Sequence, residues 1–99
     1  MRGRPWTNTD RTGGPIDDVF DQLREHVPGL IIERLEVKHP ADDDNLYCLF
    51  FADWDKFENI QVETADGGQP PFLIENGQQH ETTDTTEAVT LIRAWLEQN

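Results

Sequence analysis

A chain of 99 residues is long enough for one domain, and its 20 acidic and 8 basic side chains give it a formal net charge of −12. Such a charge repels nucleic-acid phosphates and anionic membrane surfaces, so neither is expected as a partner. The sequence has no apolar stretch near the roughly 20 residues of a membrane span and no secretory leader pattern. The single cysteine, Cys48, excludes an intramolecular disulfide and fits a reducing compartment, so we expect a cytoplasmic protein.

The first 14 residues differ in composition from the rest of the chain. They carry three arginines against one aspartate, whereas residues 15–99 carry five basic and nineteen acidic side chains. Gly, Pro, Thr and Asn dominate this segment and its apolar residues show no period. We therefore interpret residues 1–14 as a mobile arm in which Trp6 is the one residue able to anchor, and residues 15–99 as a single α+β domain.

Two amphipathic helices are predicted, one towards each end of the chain. The first begins at Pro15, whose fixed φ suits a first helical position, and Val27-Pro28-Gly29 ends it because a residue before proline resists the helical conformation. The second begins after Asp84 as N-cap, with Glu87 three residues on in a variant of the capping box. Its predicted buried stripe consists of Ala88, Val89, Ile92, Trp95 and Leu96.

Strands are predicted between the helices, because the apolar period changes there to two. Residues 30–38 alternate, with Ile32 as an apolar exception on the polar side, and residues 46–52 are apolar on both faces, which is typical of a central strand. Further strands are predicted at 57–64 and 72–74. Asn76-Gly77 then predicts a type I′ hairpin into a short polar strand over 78–82.

These elements predict a two-layer α+β sandwich in which an antiparallel sheet of four to five strands carries the two helices on one face. Two helices cover one face only, so we expect the side chains of Tyr47, Leu49 and Phe51 to need another cover. The arm with Trp6, a second copy of the chain or a different protein could supply it, and we favour a partner.

Residues that carry enzyme or metal chemistry are sparse. The chain has no serine, which excludes Ser-His-Asp catalysis, and Cys48 lies among apolar residues, which predicts an inert core thiol. The three histidines lack the spacing of zinc ligands. Asp53 and Asp55 have the spacing of two calcium ligands, but the glycine and the last acidic residue of a calcium loop are missing. We therefore expect no enzyme activity, no metal and no cofactor.

Recognition of a protein remains, because aromatic side chains stand beside carboxylates near the predicted turns. Rings supply contact area and carboxylates attract a basic surface. The candidate partner-binding residues are Trp54, Asp53, Asp55, Tyr47 and Phe51. The alternative for Trp54 is that it caps the end of the sheet.

Three segments of the C-terminal half resemble bacterial polymorphic-toxin immunity proteins. They are residues 60–64, 66–72 and 83–88, in the order strand, Gly/Pro turn, strand and final helix. The resemblance implies a non-enzymatic, cytoplasmic, acidic inhibitor that binds one toxin, often a basic nuclease.

The leading hypothesis is therefore a small acidic protein-binding module, with an immunity-type inhibitor as its concrete form. One alternative is a self-associating structural protein, a homodimer that buries Tyr47, Leu49 and Phe51 against a second copy. Another is an enzyme that uses clustered carboxylates.

Overall fold

The computed structural model describes residues 3–35, 45–54 and 59–97. A short 3-10 turn, Asp66–Gly68, joins two of the strands. In chain order the elements are β1 (Gly3–Pro5), α1 (Ile16–His26), β2 (Ile31–Leu35), β3 (Leu46–Phe50), β4 (Ile60–Ala65), β5 (Gln69–Glu75), β6 (Gln79–Thr82) and α2 (Thr85–Glu97).

The six strands form one antiparallel sheet in which spatial order follows chain order, β1-β2-β3-β4-β5-β6. The predicted α+β class, with an antiparallel sheet and two helices, is confirmed. The sheet has six strands rather than the predicted four to five, because Gly3–Pro5 pairs with β2 as an additional edge strand. Short connections explain why β4, β5 and β6 are neighbours, whereas helix α1 separates β1 from β2 in the chain.

The N-terminal segment lies against the domain from residue 3 onwards, which differs from the interpretation of residues 1–14 as a mobile arm. The Trp6 N–H donates to the carbonyl of Ile32 at 2.8 Å, and its side chain is 5% exposed. The guanidinium carbons of Arg4 and Arg34 lie 5.2 Å and 5.3 Å from a Trp6 ring centroid, within cation–π distance. The Arg24 side chain donates to the Trp6 carbonyl. Trp6 is therefore part of the core.

Both helices pack on the same face of the sheet, which we call the covered face. The strands contribute Ile32, Tyr47, Leu49, Val62 and Ile74 to it, as the pairing register requires. Helix α1 buries one apolar stripe, and Val27 follows it in the core. The stripe consists of Ile16, Val19, Phe20 and Leu23. Helix α2 buries four of its five predicted residues and leaves Trp95 partly exposed. The four are Ala88, Val89, Ile92 and Leu96.

The loop before α1 is held by a carboxylate of that helix. Asp17 accepts hydrogen bonds from the N–H groups of Thr12, at 2.9 Å and 3.1 Å, and of Gly13, at 2.9 Å. It also accepts the Thr12 hydroxyl at 2.9 Å. Four donor contacts on one side chain at a helix N-terminus fix the direction in which the chain enters α1.

That loop packs directly on the turn between β4 and β5. A Cβ atom added to Gly68 would lie 2.1 Å from Thr12 Oγ1 and 2.5 Å from Ile16 Cγ2, so no larger residue fits there. Gly68 also has a φ of +71°, in the left-handed region that favours glycine. Its neighbour Gly67 has nearly the same φ, +72°, but a Cβ there would meet nothing within 4 Å.

Two predicted details of the C-terminal part differ in the structure. Glu75 pairs with Gln79, so the hairpin loop has three residues, and only Gly77 has a positive φ. The predicted type I′ turn is wrong, because it needs positive φ at two successive residues. Asp84 caps α2 as predicted, since its carboxylate accepts the Thr86 N–H at 2.8 Å. Glu87 does not complete the capping box and instead contacts a histidine of β6.

Candidate functional site

The sequence predicts that the helices leave the sheet face with Tyr47 and Leu49 uncovered. In the structure the helices cover this face. Tyr47 and Leu49 are fully buried, and the Tyr47 ring meets those of Trp6 and Phe20 edge-on, with centroids 5.6 Å and 5.0 Å away. The predicted face assignment is therefore wrong, and Tyr47 cannot contact a partner in this structure. A homodimer built on Tyr47 and Leu49 loses its basis for the same reason.

The other candidate contact residues lie at the end of β3. Phe51 and Trp54 are half-buried and pack edge-to-face, with ring centroids 5.3 Å apart. Both side chains pack against the hydrophobic core. The Trp54 N–H donates to the Phe51 carbonyl at 3.0 Å and closes a turn. This placement matches the alternative in which Trp54 caps the end of the sheet. Asp53 is exposed beside them, whereas Asp55 lies outside the described residues.

The opposite side of the sheet, which we call the open face, carries no helix among the described residues. Its outline follows from the register, since residues that pair across the sheet share a face. The open face consists of Ile31, Glu33, Leu35, Leu46, Cys48, Phe50, Gln61, Glu63, Leu73, Glu75, Gln79 and Glu81.

Most apolar residues of the open face lie on β2 and β3, and most of its acidic residues lie on β4, β5 and β6. On β2 and β3, Ile31 pairs with Phe50 and both are half-buried, as is Leu35. On β4, β5 and β6 the side chains are mostly polar, with Leu73 as an apolar residue among them. The result is an apolar strip along two strands, interrupted by Glu33, that borders an acidic surface.

The charge of the open face has a single sign. It carries Glu33, Glu63, Glu75 and Glu81, and within the described residues of this face there is no lysine, arginine or histidine. The arginines of the neighbouring strands, Arg4 and Arg34, alternate onto the covered face. The potential over the open face is therefore negative and is not neutralised by basic side chains of the sheet in the described part of the chain.

Cys48 lies at the centre of the open face rather than in the helix-covered core, although neighbouring side chains leave only 8% of it exposed. Burial raises the pKa of its thiol, and the carboxylate of Glu33 on the paired strand raises it further. A thiol held protonated is a poor nucleophile and a poor metal ligand. This environment gives Cys48 a packing role.

The other polar side chains bear on metal binding and on ion pairing. Across residues 3–35, 45–54 and 59–97, no group of three or more His, Cys, Asp or Glu side chains is placed to hold a metal ion. His80 Nε2 lies 2.9 Å from Glu87 Oε1 in an exposed pair. Neither helix in these ranges has both the length and the apolar character that crossing a membrane requires.

Sequence reasoning missed the open-face residues, Phe50 above all, because both faces of β3 are apolar. One signal could have found them. Ile32 interrupts the polar side of β2, and its pairing with Leu49 marks the covered face.

Comparisons of the chain with protein-family models, with curated proteins and with solved structures found no match.

Proposed function

We propose that the protein is a non-enzymatic, cytoplasmic binding module whose open face docks on a basic surface of another protein. The observation that carries this proposal is the combination on one uncovered sheet face of an apolar strip with four glutamates and, among the described residues, no basic side chain. The apolar strip supplies contact area, and the glutamates select the charge of the partner.

The energetic centre of such an interface is Phe50 with its neighbours on β2 and β3. Full burial of one large apolar side chain is worth roughly 1.5–3 kcal/mol, and Phe50, Ile31 and Leu35 are each only half-buried in the free protein. The glutamates contribute more to the rate of encounter and to selectivity than to affinity, so association should slow as salt is added.

A second copy of this chain fits the open face less well than a basic protein does. Two open faces packed together would enclose eight glutamates, four from each copy, at a net charge of −12 each. Like charges placed opposite each other across an interface cost free energy. The charge pattern therefore favours a different, basic protein over a homodimer.

An immunity-type inhibitor of a basic toxin is the concrete form of this proposal. The resemblance of residues 60–64, 66–72 and 83–88 to immunity proteins supports it, and so does the acidic open face, which suits a basic nuclease. The genes beside that of this protein test this form directly, because a toxin gene next to it would name the partner.

The experiment compares capture by the immobilised wild-type protein with capture by two variants, followed by titration with the purified captured protein. Phe50→Asp places a charge in the apolar strip and should raise Kd at least about tenfold, that is about 1.4 kcal/mol. Glu63→Lys reverses an exposed charge without disturbing the core and should slow association. Thr90→Asp, on the exposed side of α2, is the control and should bind like wild type.

Two results would overturn the proposal. One is a purified partner whose affinity is the same for wild type, Phe50→Asp and Glu63→Lys. The other is a stable homodimer in light scattering that Phe50→Asp dissociates, which would assign the open face to a second copy instead.

A further inference from the structure

Strand β6 is an edge of the sheet, and its outer backbone groups have no strand partner among the described residues. Three of its four residues, Gln79, His80 and Glu81, are exposed, and the strand contains no proline. In an edge strand, alternate N–H and C=O groups point away from the sheet and can pair with another extended chain. The backbone of β6 is therefore able to accept a further strand.

The opposite edge is protected, which makes the two edges of this sheet unequal. Strand β1 has three residues, and Pro5 has no N–H to donate. The next residue, Trp6, is buried and its N–H pairs with the carbonyl of Ile32. A short strand and a proline are devices that prevent pairing at an edge. Strand β6 has four residues and contains no proline.

The charges on either side of β6 decide what kind of strand it can accept. On the open-face side stand Glu81 and, on the paired strand, Glu75. On the helix side, His80 is already paired with Glu87, and Asp84 follows the end of the strand. An acidic segment would meet carboxylates on both sides, whereas lysine or arginine side chains would meet opposite charges.

A second copy of β6 is disfavoured by the same charges. A second copy would bring its own Glu75 and Glu81 to this edge, in a chain of net charge −12. Charged residues on an edge are how proteins suppress pairing between identical strands. The charges therefore disfavour pairing with a second copy of β6, while the outer backbone groups of the strand stay available.

We propose that β6 is a second binding surface, which accepts a basic, extended peptide segment as a seventh antiparallel or parallel strand. Backbone hydrogen bonds supply the affinity, and the glutamates select lysine or arginine at alternate positions of the segment. This surface shares Glu75 and Glu81 with the open face, but it uses the backbone of the sheet edge and not the apolar strip around Phe50.

The probe is a capped synthetic peptide that alternates lysine and threonine, titrated into the full chain while backbone amide signals and their hydrogen exchange are recorded. The matched control peptide keeps every lysine and replaces every threonine with proline, so it has the same charge but cannot form a strand. The alternating peptide should shift the signals of residues 79–82 and slow exchange of their outward amides about tenfold. The proline peptide should do neither.

Three variants show whether the peptide binds at β6 or elsewhere on the protein. Glu81→Lys should weaken binding of the alternating peptide about tenfold, whereas Glu25→Lys makes the same charge change on the exposed side of α1 and should not. Phe50→Asp should leave peptide binding unchanged, so the result does not depend on the apolar strip of the open face. Equal binding of the two peptides, or signal changes that avoid residues 79–82, would overturn the proposal.

Discussion

The hydroxyl of Tyr47 is a buried polar group whose removal should stabilise the protein. Tyr47 is the only tyrosine of the chain and is fully buried, and its hydroxyl oxygen has no hydrogen-bond partner among the described residues. A buried polar group without a partner costs about 1–3 kcal/mol. Tyr47→Phe removes the hydroxyl and keeps the ring contacts with Trp6 and Phe20.

We expect Tyr47→Phe to raise the free energy of unfolding by about 1 kcal/mol, which corresponds to a Tm increase of about 4–8 °C for a domain of this size. Urea denaturation monitored by tryptophan fluorescence measures the change. A variant less stable than wild type would refute the reasoning, since it would show that the hydroxyl has a partner that stabilises it.

The same group makes stability depend on pH in the alkaline range. Burial raises the pKa of Tyr47 above its ordinary value, and the nearby Arg34 opposes the shift only in part. The folded state therefore holds the phenolic proton at a pH where the unfolded chain, with a pKa of about 10, releases it. Ionisation of Tyr47 therefore leaves the free energy of unfolding unchanged below about pH 10 and lowers it as pH rises further.

The difference in unfolding free energy between wild type and Tyr47→Phe isolates this contribution, because all other titrating groups are common to both proteins. We expect the advantage of the variant to grow as pH rises above about 10. Absorbance of the tyrosinate gives a direct check. Ionisation of folded wild type at the pH of free tyrosine would contradict the burial described for Tyr47.

Three further substitutions, two of them with a matched control substitution, test the fold. Gly68→Ala should destabilise the protein by about 2–4 kcal/mol, because backbone strain and a steric clash act together. Gly67→Ala should show the backbone strain alone. Equal losses of stability in thermal unfolding of the two variants would contradict the close packing at Gly68. Asp17→Asn should cost about 1–2 kcal/mol in urea denaturation and Asp18→Asn less than about 0.5; the reverse order would be inconsistent with the loop contacts. Asp84→Ala should lower the free energy of unfolding by about 1 kcal/mol, measured by thermal unfolding followed by circular dichroism. An unchanged stability would argue against the cap.

Helices and strands are predictable from this sequence to different degrees, for a physical reason. The sequence predicts helix α1 from Pro15 to Val27 and it runs from Ile16 to His26, because one apolar stripe and a proline define its face and its end. Strand β3 is predicted too, but its orientation is not. A period of two divides the residues of β3 into two faces, and both faces are apolar. Which face the helices cover is therefore decided by contacts with Trp6 and Phe20, which lie far from β3 in the sequence.

The candidate site shows the same limit. Local sequence predicts Asp53 and Trp54 as contact residues, and the structure places them at the end of β3 beside Phe51. It does not predict Phe50, because the reversed orientation of β3 assigns that residue to the core. The edge at β6 depends on strand order, and β1 comes from a segment with no strand pattern.

The two helices that close the core come from distant parts of the sequence. Residues 16–26 and 85–97 pack together and share one hydrophobic cluster with the covered face. During synthesis, the meander of neighbouring strands can pair as it is made and α1 is already present, but the part of the covered face that α2 covers stays accessible until residues 85–97 have been translated. Incomplete chains therefore expose an aggregation-prone sheet surface, and the formation of α2 is the event that removes it.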